Sequence, residues 1–435
     1  MNHVAIIGGG LSGALQAIHL VQEGVSQVTL IERGRVPGRG VAYGTGRSEH
    51  LLNVPARRMT AFPDRPDHFV DWFEKTAGGD AEAYAPRMAY GDYITGLLAE
   101  TGDRVTIVHG EATDVVAAAD GEHVTLSDGR EIVADAAILA LGNLRPALPG
   151  RIDVAALGDA WIGDPWADLR VEGLGADDMV VLIGTGLTAV DTILTLDALG
   201  YQGRILALSR RGLAPRAHEA REPIVAPQGE LPSNCVALLR RIRRRSQEVG
   251  WRSAVHELRS ITQDLWRKAG DIERRRFLRH LRPWWDVHRH RIAPAVGATV
   301  DRLERAGRLT FAAGKIVSIN PEAGGAAVAW RARGTDRIET VHAARIVNCT
   351  GPELDIVRAG EPLFDALLSS GRIQPDPCRI GIDVDPDTLG AIGRDGAASG
   401  SLFVIGPPTK GAFWESIAVP DIRAQTDALA KRLAA

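Results

Sequence analysis

Two glycine runs and one run of tryptophan, histidine and arginine carry most of the residues in this sequence that could do chemistry. Gly8-x-Gly10-x-x-Gly13 and Gly184-x-Gly186-x-x-Ala189 each follow an apolar run and open a stretch with helical apolar spacing. In such a turn the first glycine permits the tight bend and the second lets backbone approach a pyrophosphate. The third position must be small so that helix packs on strand. After the first turn, QVTLIE ends in Glu32, a carboxylate suited to a ribose 2′-hydroxyl and repellent to a 2′-phosphate. Ser12, Arg33 and Gly142 belong to the same candidate site. After the second turn, which contains Thr188, RILALS ends in Ser209-Arg210-Arg211. Guanidinium groups there favour a 2′-phosphate, so this site reads as one for NADPH, with NADH the alternative. Two dinucleotide sites in one chain suggest an electron acceptor and a donor held face to face, FAD in the first and NADPH or NADH in the second.

The third run, residues 283–291 (PWWDVHRHR), alternates His288 and His290 with Arg289 and Arg291 beside Trp284 and Trp285. Bulky rings beside cations supply a stacking wall and a desolvated setting in which an arginine binds an anion more strongly. Histidines there can move a proton near neutral pH.

Strand, turn, helix and strand in that order position each glycine run, which predicts an α/β fold with two Rossmann-like dinucleotide-binding domains. The first domain spans residues 1–150 and includes a hairpin array turning at Ser127-Asp128-Gly129 before the strand AAILALG. The second spans 178–234 and 309–351, closing on RIVNCTG. Residues 235–308 form a basic helical insertion, with 19 Arg and Lys against 8 Asp and Glu. A long Gly-, Pro- and Arg-rich segment follows the first βαβ unit, and its aromatic content points to a functional loop.

Composition narrows the alternatives. A net charge of −3 gives no global attraction to nucleic acid or anionic membrane, and the insertion lacks interleaved Tyr and Phe of an RNA-binding kind. No apolar run is long enough to span a bilayer, and too few residues precede the first strand for a secretion signal, so a cytoplasmic location is expected. Cys235, Cys349 and Cys378 have neither redox-pair nor metal-ligand spacing, and no metal site is expected.

The motifs GGGLSG, GVAYGT with HLLNVPA, GTGLTAVD with SRRG, WWDVHRHR, and GPPTKGAFWE with AVPDIR together resemble the FAD/NAD(P)-binding proteins that include a flavoprotein urate hydroxylase and an aspartate N-monooxygenase. The resemblance covers almost the whole chain. It implies that residues 352–435 complete the FAD domain, making that domain discontinuous. It implies that Gly8, Gly10, Gly13 and Glu32 hold FAD, and that His50, Asn53 and Pro55 lie beside the flavin ring. Gly406-Pro407-Pro408 stands where related flavoproteins have Gly-Asp, so any contact there is through backbone. A helix starting after Ile417 would aim its N-terminus at the flavin, where its dipole stabilises the reduced anionic ring.

The implied activity is NAD(P)H-dependent oxygen transfer from dioxygen, through a peroxyflavin, to a small polar or anionic substrate such as a urate-like purine or an amino acid. Residues 283–291 would cap that substrate opposite Trp414 and Glu415, with Arg289 or Arg291 binding its anion and His288 or His290 managing its proton. The alternatives are a flavin reductase or diaphorase without oxygen insertion, and a non-enzymatic flavin redox sensor. The sequence leaves the oligomeric state open.

Overall fold

The computed structural model describes residues 1–34, 36–150, 152–167, 169–219, 231–232 and 234–435. Residues 220–230, which the sequence assigns to the second nucleotide domain, lie outside the described residues. Sixteen strands are described: β1 (His3–Ile7), β2 (Gln27–Glu32), β3 (Val105–His109), β4 (Ala112–Ala118), β5 (Gly121–Leu126), β6 (Glu131–Ala134), β7 (Ala136–Leu139), β8 (Trp161–Ile162), β9 (Met179–Ile183), β10 (Arg204–Ser209), β11 (Leu309–Glu322), β12 (Gly325–Ala332), β13 (Ile338–Ala343), β14 (Arg345–Asn348), β15 (Gly390–Ile392) and β16 (Ala398–Val404).

Two large sheets result, ordered β15-β16-β7-β1-β2-β3 and β13-β12-β11-β10-β9-β14-β8. Strands β4, β5 and β6 form a separate antiparallel sheet, as the hairpin pattern predicts. In the first large sheet β1 pairs in parallel with both β2 and β7, and in the second β9 pairs in parallel with both β10 and β14. The chain therefore leaves β1 and β9 at points where the connections run to opposite sides, the place where open α/β sheets leave a crevice. β16 pairs in parallel with β7, so the C-terminal segment does complete the first sheet.

Helices α1 (Leu11–Gln22) and α2 (Leu187–Ala198) follow the two glycine turns. The insertion folds as α3 (Cys235–Glu257), broken by non-helical backbone at Gly250, then α4 (Thr262–Lys268), α5 (Asp271–His280) and α6 (Arg282–Arg289). Helix α7 (Pro294–Arg305) departs from the expected boundary at 308. Its Val296, Val300 and Leu303 pack in the core with Ile193 of α2 and Leu309 of β11, so it belongs to the second nucleotide domain. The second domain also begins before residue 178, because β8 pairs with β14 as its edge strand. The last helix, α8 (Val419–Ala434), packs back against α1.

A buried ion pair ties the domains together. Arg87 Nη1 lies 2.9 Å from Asp191 Oδ2 on α2, and both side chains are largely shielded from solvent. Burial raises the Asp191 carboxyl pKa despite the arginine, which marks a pair whose desolvation is only partly offset. Among the described residues no helix is long and apolar enough to cross a membrane.

Candidate active site

The two glycine turns repeat one geometry. Gly8 N donates to Ile31 O of β2 at 2.9 Å and Gly184 N to Leu208 O of β10 at 2.8 Å. Both glycines have positive φ, +102° and +123°, and a Cβ on either would collide with backbone oxygen, that of Ala140 at 2.5 Å or Cys349 at 2.1 Å. A Cβ on Gly13 would lie 1.9 Å from Gly8 O, whereas Ala189 at the matching position is accommodated fully buried. These positions are small because the fold requires it.

Gly10 and Gly186 differ. Their φ values are −68° and −82°, open to any residue. A Cβ on Gly10 would meet nothing nearer than Gly40 Cα at 3.5 Å, and one on Gly186 nothing within 4 Å. Each is the N-cap of a 12-residue helix with no side-chain cap, so the first-turn N–H groups of α1 and α2 are left to an outside acceptor. Open space at the second glycine beside an uncapped helix N-terminus fits a pyrophosphate at both turns.

Several predicted residues gather at the first turn. Glu32 accepts hydrogen bonds from Gly9 N and Gly34 N, both at 2.5 Å, which fixes its carboxylate at the rim. Gly406, with φ +73°, lies so close to α1 that a Cβ would sit 2.5 Å from Ser12 Oγ, bringing Gly406-Pro407-Pro408 over the helix start. Gly142 shares a small cleft with Pro407 and Pro408. Arg33 is turned to protein partners, Glu361 at 2.9 Å and Glu111 at 3.3 Å.

At the second turn, Thr185 Oγ1 lies 2.9 Å from Ser209 Oγ, which also accepts from Gly212 N at 3.0 Å. These bonds fold the loop after β10 across the turn. Arg210 is exposed, and its guanidinium has no hydrogen-bond partner among the described residues, whereas Arg211 donates to His280 O of α5 at 3.5 Å. Thr188 takes part through its carbonyl, which accepts from Thr192 Oγ1.

The HLLNVPA segment lies against the second domain. His50 is buried with Nδ1 2.7 Å from Thr45 Oγ1 and Nε2 2.9 Å from Thr195 Oγ1 of α2. Both ring nitrogens are committed to protein partners, so His50 braces the two domains. Asn53 accepts from His218 Nε2 through its carbonyl at 3.0 Å, and buried Pro55 starts a short 3-10 turn.

Residues 283–291 end helix α6 and contact the segment before α8. Glu415, 1% exposed, is the hub. Its carboxylate takes Arg289 Nη2 at 2.8 Å, Arg259 Nη1 at 3.4 Å and the Trp285 indole N–H at 3.1 Å. Arg259 also reaches Asp421 Oδ2 at 2.5 Å in the first turn of α8. Burial alone would favour the neutral acid at Glu415, but Arg289 and Arg259 outweigh it and hold its pKa below the usual range. Two buried polar atoms in this cluster, Ser416 Oγ and Arg289 Nε, have no hydrogen-bond partner among the described residues. Exposed Ile417 and the uncapped start of α8 follow directly.

These contacts change the roles expected of the His/Arg run. Arg289 is neutralised by Glu415, and Arg291 is buried, donating to the carbonyls of His288 and Arg252. Neither guanidinium is presented to an incoming anion. Burial pushes His290 down to about 4, so it is neutral near pH 7 and does not switch there. His288 faces Trp251 edge-on, with Nδ1 2.7 Å from Trp284 O.

Lys410, within the GPPTKGAFWE run, was not singled out by its sequence setting. Burial, with repulsion from Arg282, lowers its amine to about 8. Its Nζ lies 4.7 Å from the centre of the Trp414 ring, which also stacks on Trp266 at 4.8 Å. Trp414 has φ +55° at the centre of a γ-turn closed by Glu415 N and Phe413 O at 2.5 Å. That conformation costs an aromatic residue about 1–3 kcal/mol and concentrates at functional sites.

With this geometry the chain can be compared with known proteins. Residues 5–144 match the family described as FAD-NAD(P)-binding. No curated protein sequence matches the chain. L-lysine 6-monooxygenase from Pseudomonas syringae is 16% identical with a TM-score of 0.69, over 100% of this chain and 99% of its own. The ornithine N-hydroxylase from Kutzneria sp. 744, solved with reduced FAD, NADP+ and L-ornithine, is 14% identical with a TM-score of 0.69, over 99% and 98%. Thioredoxin reductase from T. acidophilum follows at 12% and 0.54, over 100% and 98%. At these identities the likeness is one of fold: α/β, with the two Rossmann-like sheets of two-dinucleotide flavoproteins.

Two outcomes are expected. Gly10→Val should fold with a thermal midpoint near that of the parent yet purify without FAD, while Gly13→Ala should lose stability outright. Stoichiometric flavin in folded Gly10→Val would remove the first site from this crevice. Lys410 binds its proton less tightly folded than unfolded, so its contribution to stability rises as pH passes from about 8 towards 10.5. Lys410→Met should therefore be more stable than the parent at pH 7, with the gap closing by pH 10. Parallel stability curves for the two proteins would contradict the lowered amine.

Proposed function

We propose that the protein is an NAD(P)H-dependent, FAD-containing monooxygenase that prefers NADPH and adds one oxygen atom of dioxygen to a small anionic substrate. The observation that carries this reading is the duplicated turn. Two uncapped helix N-termini each have a second glycine that the fold does not need; among the described residues the Arg210 guanidinium after the second turn is exposed without a partner, whereas Arg33 after the first is paired with Glu361 and Glu111. FAD, when bound, supplies the hydride acceptor and the chemistry with dioxygen.

The chain supplies the setting. The first-turn N–H groups of α1 and α2 would bind the pyrophosphates, Glu32 would hold the FAD ribose, and Arg210 the 2′-phosphate. The α8 N-terminus offers a positive dipole end beside the Glu415 cluster. The Trp266, Trp285 and Trp414 rings exclude water from that cluster. Lys410, whose amine changes charge near 8, lies against the Trp414 ring at the edge of that cluster. The fold likeness to the lysine and ornithine hydroxylases supports the same class.

A disulfide reductase, the chemistry named for the thioredoxin reductases of similar fold, fits less well. The three cysteines are all unpaired, and burial raises the Cys235 thiol to about 11 and that of Cys349 to about 12.

Turnover under isotopically labelled dioxygen tests the oxygen transfer. One labelled atom should appear in product and the other in water; NADPH oxidation with label only in peroxide or water would leave a reductase or oxidase. For the nucleotide, Arg210→Ala should weaken NADPH by about 1.5–3 kcal/mol, roughly tenfold to a hundredfold, and leave NADH unchanged. Equal losses for both would show that Arg210 does not read the 2′-phosphate.

A further inference from the structure

The helical insertion encloses a cavity of about 380 Å³, partly open to solvent. Six indole and phenyl rings line it, those of Trp251, Trp266, Phe277, Trp284, Trp285 and Trp414, together with the His288 imidazole, drawn from α3, α4, α5, α6 and the segment before α8. Its inner wall is the back of the Glu415 cluster. Trp285 lines the cavity and donates its indole N–H to Glu415, and Trp414 lines it immediately before Glu415 in the chain.

Volume and chemistry select an occupant. An apolar cavity of about 150 Å³ holds benzene, so this one admits a fused or substituted aromatic body. A compact zwitterion such as aspartate, with two carboxylates and an ammonium, would leave most of its charges unmatched against indole faces. The charged groups on the lining are mostly spoken for. Glu273 is bound to Arg276 and to Cys235 N, and Arg274 donates to the carbonyls of Trp266 and Arg267. Arg243 differs: it lines the cavity, is exposed, and its guanidinium has no partner among the described residues. The cavity thus combines an aromatic interior with one cation that is uncommitted among the described residues.

We propose that this cavity is the substrate chamber of the monooxygenase read above, and that the substrate is an amphipathic aromatic acid whose flat body lies among the tryptophans with its anionic group at Arg243. The assignment rests on that reading for the substrate role, and on the cavity alone for binding.

The test uses the FAD-loaded protein with anilinonaphthalene sulfonate as fluorescent probe and naphthoate as competitor. One saturable site is expected, from which naphthoate displaces the probe. Leu239→Trp, which fills the cavity from α3, and Arg243→Glu, which reverses the rim charge without touching the interior, should each weaken binding at least tenfold. FAD content and substrate-free NADPH oxidation should be unchanged in both. Among urate, aspartate and a panel of aromatic acids, the aromatic acids should accelerate NADPH oxidation. Absence of a saturable site, or parental affinity in both variants, would overturn the chamber while leaving the flavin reading to its own tests. Cavity-dependent binding with acceleration by urate or aspartate alone would overturn the substrate class. Cavity-dependent binding by a protein that neither retains flavin nor oxidises NADPH would overturn the substrate role together with the monooxygenase reading.

Discussion

The carboxylate of Glu415 holds the insertion and the C-terminal segment in one arrangement. Two guanidinium groups from the insertion, an indole N–H and the first turn of α8 converge there through Arg259, Arg289, Trp285 and Asp421. Removing one member of such a buried set strands the others and typically costs about 3–5 kcal/mol. The set is therefore weak evidence for stability and strong evidence for fixed geometry. It sets the register between the insertion and α8, keeps Trp414 in its strained turn, and places Lys410 against the Trp414 face.

The second organising constraint is the repeated strand-turn-helix. A helix N-terminus without a cap is a standing cost unless something accepts its N–H groups. The chain has that arrangement twice, each time where its sheet divides. His50 and Arg87 then dock the first domain on α2 of the second. The two crevices are thus parts of one assembly, which a transfer between two bound nucleotides requires.

The glycine turns and their strands were legible because they rest on local spacing, whereas the return of the chain to the first sheet was implied only by the family resemblance. Glycine at residues 8 and 184 answers a backbone clash that any sequence with this turn must avoid. Other features depend on partners far along the chain. His50 meets Asp191, 141 residues away, and nothing in HLLNVPA signals it. Lys410 acquires its lowered amine from burial beside Trp414 and from Arg282 of α6. The arginines at 289 and 291 looked like substrate ligands because the sequence does not reveal that Glu415 and two carbonyls already occupy them. Helix α7 has the same apolar period as the insertion before it, so the domain boundary was invisible until packing assigned it to α2 and β11.

The central claim is that two different nucleotides occupy the two turns and exchange a hydride. Anaerobic rapid mixing of the flavin-loaded protein with NADPH tests it most directly, with Gly186→Val as comparison. The parent should bleach its flavin absorbance with saturation in NADPH, and Gly186→Val should keep its flavin and bleach much more slowly. Equal bleaching in the two proteins, or none in the parent, would contradict the account.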